Sequence, residues 1–210
     1  GINSLYKNTN TSNLVAIGDS ALYNNIGPAN TAVGSKALYS NTTGENNTSN
    51  GYQSLYTNSI GTNNTAFGFQ NLFSNTSGIE NTSQGFQALF SNTAGYNNTA
   101  NGSKALYANT IGYNNSSTGF NALLYNTIGF GNTANGAYSL KSNTNGGYNV
   151  AIGLNSLLNN TEGSYNVANG AYALNENTLG IKNTANVAYA LQNNRFGNNN
   201  VASGNKALYT

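Results

Sequence analysis

The side chains able to move protons or hold metals are few and far apart. The chain has no histidine and no cysteine, and its five carboxylates are Asp19, Glu45, Glu80, Glu162 and Glu176. General acid–base catalysis needs such groups, or one of them and a nucleophile, to converge on a reacting atom. Each carboxylate falls in a different repeat unit, so no enzyme is expected and no cofactor or metal site is assigned. The aspartate-rich calcium turn of some β-rolls is missing, and asparagine and carbonyl oxygens alone make a weak cation site. The glycines follow the repeat and not the spacing of a phosphate-binding loop.

Hydroxyls are more regular. One threonine column runs Thr42, Thr76, Thr93, Thr110, Thr127, Thr144, Thr161 and Thr178, and a second runs Thr31, Thr48, Thr65, Thr82, Thr99, Thr133 and Thr184. Such arrays can order water or meet a flat ligand, so the first column is a candidate binding surface. Against an ice-binding reading, the second column is interrupted by Val15, Ser116, Val150, Val167 and Val201, and each unit offers one threonine there instead of a Thr-x-Thr pair. Asn-x-Ser/Thr sequons such as Asn63-Asn64-Thr65 follow from the repeat and carry little information.

The element that positions these residues is a repeat of seventeen residues, seen plainly in Gly85 to Asn101, GFQALFSNTAGYNNTAN. Units start at residues 1, 18, 34, 51, 68, 85, 102, 119, 136, 153, 170, 187 and 204, and only the unit at Gly18 is one residue short. Val187 alone replaces the leading glycine. Leucine stands four places on in every unit: Leu5, Leu22, Leu38, Leu55, Leu72, Leu89, Leu106, Leu123, Leu140, Leu157, Leu174, Leu191 and Leu208. Self-similarity at a fixed period marks a solenoid or repeat array, with each unit stacked on its neighbours. Disordered low-complexity sequence has no reason to hold such a register.

The expected fold is all-β, a parallel β-solenoid or β-roll of about twelve coils, forming one array over residues 1–210. The Thr-Ala-Asn segment alternates as a short strand, and Gly-x-x-Ala-Leu reads equally as a second strand or a single helical turn. Asn-Thr-x-Gly is a turn signal. Two turn signals and two short extended pieces per unit describe a flattened two-layer coil. At the inter-strand spacing the array makes a rod roughly 60 Å long.

Leu22, Leu38, Leu55, Leu72, Leu89, Leu106, Leu123, Leu140, Leu157, Leu174 and Leu191 are the expected core. Two asparagine columns, Asn41, Asn58, Asn75, Asn92, Asn109 and Asn126 in one and Asn47, Asn64, Asn81, Asn98, Asn115 and Asn132 in the other, are expected to form ladders. Each amide there donates to and accepts from copies above and below. Aromatics follow the leucine at Tyr6, Tyr23, Tyr39, Tyr56, Phe73, Phe90 and Tyr107, and the column changes afterwards to Leu124 and Lys141. A contact surface therefore changes near residue 120, most simply by repacking of the core edge.

Composition narrows the partners. Charged residues make up 6% of the chain and the net charge is +2, which removes the phosphate-neutralising term of nucleic-acid binding. No apolar run approaches the about eighteen residues of a membrane-spanning helix, so membrane insertion is not expected. One leucine and one ring per coil make a thin core, and burial of a further face by self-association is expected. The termini fall inside repeat units without polar caps, as expected of an excerpt from a longer array.

At Asn13-Leu14-Val15-Ala16-Ile17-Gly18, Asn30-Thr31-Ala32-Val33-Gly34 and Asn149-Val150-Ala151-Ile152-Gly153 the chain resembles the head repeats of YadA-like trimeric autotransporter adhesins. The full unit is similar to the N-T-A-x-G-x-x-A-L repeats of bacterial and phage tail-fibre-like proteins. The resemblance covers the whole array and implies a left-handed β-roll, a homotrimer, and an extracellular or virion-surface fibre that adheres to a host surface, with a glycan or other receptor as partner. The unit is longer than the adhesin-head coil, and no coiled-coil stalk or membrane anchor lies within it. Alternatives of other kinds are an end-to-end polymer acting as a filament subunit and an ice- or glycan-binding module.

Overall fold

A computed structural model describes residues 1–9 and 11–209. The expected parallel β-solenoid is the fold. Twelve three-residue strands run β1 (Val15–Ile17), β2 (Thr31–Val33), β3 (Thr48–Asn50), β4 (Thr65–Phe67), β5 (Thr82–Gln84), β6 (Thr99–Asn101), β7 (Ser116–Thr118), β8 (Thr133–Asn135), β9 (Val150–Ile152), β10 (Val167–Asn169), β11 (Thr184–Asn186) and β12 (Val201–Ser203). They form one parallel sheet in sequence order, β1 to β12. Like positions pair across coils, as in Thr82↔Thr99, Ser83↔Ala100 and Gln84↔Asn101. Among the described residues no helix is long and apolar enough to cross a membrane.

One expectation is corrected. The coil has a single strand, and the Gly-x-x-Ala-Leu segment is neither a second strand nor a helical turn. It is two successive reverse turns, as in Gly102 to Asn109, where Ala105 N–H donates to the Gly102 carbonyl (3.3 Å) and Asn109 N–H to the Leu106 carbonyl (3.1 Å). Lys104 and Leu106 have φ of 55° and 52°. Alternating signs of φ turn successive amides towards opposite neighbours. Lys104 N–H bonds back to the Phe86 carbonyl (2.8 Å), while Leu106 N–H bonds forward to the Ala122 carbonyl (3.0 Å). The coil thus satisfies its backbone without a second sheet.

The leucines are the unusual residues. All thirteen, Leu5 to Leu208, have φ between 48° and 54°, a left-handed conformation that costs an L-residue roughly 1–2 kcal/mol. From Leu22 to Leu174 they are fully buried, each contributing about 1.5–3 kcal/mol. Burial and the bond to the next coil together hold a conformation that propensity alone disfavours. Facing the leucines are the small middle residues of the strands, such as Ala66, Ser83, Ala100 and Ser117, also buried. The core is one spine of leucine against a wall of alanine and serine.

The short unit loses its residue in a turn and not in the sheet. Asn25-Ile26-Gly27 replaces Asn-Thr-x-Gly, yet β1 and β2 stay in register, Val15↔Thr31 to Ile17↔Val33.

Candidate functional site

The two asparagine columns form buried ladders. In the first, Asn109 Nδ2 donates to Asn92 Oδ1 (2.8 Å) and to the Gly112 carbonyl of its own turn (3.1 Å). In the second, Asn98 uses both its backbone N–H and its Nδ2 on Asn81 Oδ1, each at 3.1 Å, and Nδ2 also reaches the Gly112 carbonyl (2.8 Å). The Gly112 oxygen therefore ties the two ladders together. The same pattern recurs through Asn41, Asn58, Asn75 and Asn126 and through Asn47, Asn64, Asn115 and Asn132. A Cβ on Gly112 would overlap Asn109 Oδ1 and the Gly129 carbonyl. Glycine is needed there for space and not for its φ.

The first ladder runs from Asn25 to Asn177, whose Oδ1 has no partner. In the next coil, Asn194 Nδ2 turns to its own Gly197 carbonyl (3.2 Å). The second ladder continues to Asn200.

Thr42, Thr76, Thr93, Thr110, Thr127, Thr144, Thr161 and Thr178 do not offer free donors. Each Oγ1 donates to the carbonyl of the following coil, at 2.9–3.2 Å, from Thr42 to Ser59 through Thr178 to Arg195. The hydroxyl is part of the wall. The other threonines, Thr31 to Thr184, open the strands with side chains on the outer face of the sheet.

The five carboxylates stay apart in five coils. Glu176 accepts from Asn159 Nδ2 (3.0 Å) of the preceding coil, which is a packing contact. Among the described residues no three acidic, histidine or cysteine side chains group together, and no enclosed pocket is present.

Aromatic residues form ladders of their own. Tyr6, Tyr23, Tyr39, Tyr56, Phe73, Phe90 and Tyr107 stack with ring centroids 4.9–5.3 Å apart. Tyr52, Phe69 and Phe86 stack beside the leading glycines, and Tyr96, Tyr113 and Phe130 beside the second turn. The latter two were not read from the sequence, although the seventeen-residue spacing was there to show them. Near residue 120 the ladders change column together. Leu124 takes the place of a ring, Phe120 meets Tyr138 edge-on, and Phe130 meets Tyr148 edge-on. Gly131, at φ 64°, leaves the room that Tyr148 occupies.

No family model, curated protein or solved structure matches this chain.

Proposed function

We propose that the chain is a non-catalytic structural and adhesive region of an extracellular fibre, assembled with copies of itself as a homotrimer. The observation that carries this reading is continuity. One sheet, one leucine spine and two asparagine ladders run through coil after coil, each coil bonded to both neighbours. Such a column resists bending and keeps its outer columns of side chains at fixed spacing, which is what a spacer or adhesive shaft requires. The resemblance to adhesin-head and tail-fibre repeats adds the surface location and the trimer. Exposed rings and aliphatics along the outside, including Tyr52, Phe69, Phe86 and Leu154, supply apolar area that a trimer would bury.

Immunogold labelling of the source material tests the location. Gold is expected along filaments outside the cell or particle, and label confined to the cytoplasm would overturn the reading. Sedimentation equilibrium tests the assembly, with the mass of three chains expected and a stable monomer at micromolar concentration opposing it.

A further inference from the structure

The ladder of rings beside the leading glycines is missing one member. Tyr52, Phe69 and Phe86 stack at 5.4 Å per coil, the next coil has Ser103, and the one after it has Phe120. Register fixes the order, since Gln84 pairs with Asn101 and Asn101 with Thr118, each two residues before the position in question. The coil of Ser103 thus forms the floor of a notch two coil rises wide, about 9.6 Å, between Phe86 and Phe120. Phe86 is backed by Phe69, and Phe120 is braced on its far side by the edge-on ring of Tyr138, at 5.3 Å and 90°. Both wall residues remain 46–47% exposed. Lys104, next to the floor, holds Nζ 5.8 Å from the Tyr107 centroid, at the rim.

We propose that this notch binds one pyranose ring of an acidic glycan. A flat heteroaromatic ring in contact with both walls would need a gap of about 7–8 Å, so in this one it touches only one wall. A puckered pyranose, with axial C–H groups on both faces, is thicker and reaches both, presenting its partly positive hydrogens to the negative faces of the rings. Ser103 Oγ lies below to bond a sugar hydroxyl, and the Lys104 ammonium is placed for a uronate carboxylate. The exposed Asn101 amide completes the polar rim. The inference deepens the adhesive reading and rests on it for its biological sense, while the chemistry of the notch stands separately.

Calorimetric titration of the whole chain with tetragalacturonate and with its fully methyl-esterified form tests the proposal. Saturable binding is expected, stronger for the acid. Ser103→Phe restores the missing ring, so it should melt no lower than the parent and weaken binding about tenfold or more by filling the notch. Lys104→Gln should weaken the acid about two- to fivefold and abolish the preference over the ester. No binding of tetragalacturonate, or binding that Ser103→Phe leaves unchanged, overturns the notch. Equal binding of the two probes by the parent overturns the role of Lys104. Attachment of the labelled chain to cell surfaces that persists in Ser103→Phe refutes the notch and leaves the fibre role standing, whereas notch binding by a protein found only inside cells does the reverse.

Discussion

Asn109 and Asn92 stand one coil apart with Nδ2 of the first 2.8 Å from Oδ1 of the second, both side chains fully buried. Asn126 repeats the relationship one coil further on, also at 2.8 Å. A buried amide in this column has no water to fall back on, so its neighbours are its only partners.

Asn109→Ala would orphan Asn92 Oδ1 and one N–H of Asn126, at about 1–3 kcal/mol for each group. Asn109→Asp should be at least as damaging, because an acceptor-only carboxylate would face Asn92 Oδ1 and the Gly112 carbonyl. Guanidinium denaturation of the two variants measures the loss. A change within about 0.5 kcal/mol, typical of an uninvolved surface site, would show that the ladder contributes nothing.

Gly112 and Gly102 should fail for different reasons. Gly102 has φ 141°, where any side chain is strained, whereas Gly112 has no unusual φ and lacks only the space for a Cβ. Gly112→Ala should therefore cost about 1–3 kcal/mol through overpacking. Its distinguishing sign is faster amide exchange at the Asn98 and Asn109 turns, since the collision pushes on both ladders. Exchange unchanged at those amides would contradict the assignment.

Val187 occupies the column in which the other internal units carry glycine at φ 119° to 144°, and it sits at φ 85°. A β-branched residue with positive φ is a genuine outlier. Val187→Gly should raise stability by about 1 kcal/mol or more as the strain is released, read as a higher thermal midpoint. A lower midpoint would mean that the valine side chain contributes packing that outweighs the strain.

The repeat made some of this architecture legible and hid the rest. Leucine and asparagine recur without error because a slip would bury a polar group or expose an apolar one, and so the spine and ladders could be read directly. The turn at Leu106 could not be, because positive φ is normally signalled by glycine or asparagine and here falls on a buried leucine. The strand and helical-turn readings of Gly-x-x-Ala-Leu were both ordinary conformations, and the chain uses neither. The Thr93 column looked like a surface array because sequence spacing does not say whether a hydroxyl turns outward. In the fold it donates to the Thr110 carbonyl at 3.2 Å.

Leu89→Ala should cost about 2–5 kcal/mol, the range for a fully buried leucine, and the loss should be local. Neighbouring coils 72–88 and 102–118 should show faster amide exchange, with the array's ends unaffected, as expected when each coil contacts only its neighbours. Uniform acceleration across the chain would point instead to a single cooperative core.

The central claim is that each unit adds one rung to a straight column. The absence of native cysteine makes paired spin labels clean, and the first strand residues provide equivalent outward sites in β3, β7, β9 and β11. With Thr48→Cys as the common site, double electron–electron resonance to Ser116→Cys, Val150→Cys and Thr184→Cys should give narrow distances near 19, 29 and 38 Å, growing by about 4.8 Å per coil. Distances that scatter broadly, or that stop growing with the number of units between the labels, would contradict the solenoid and the fibre role built on it.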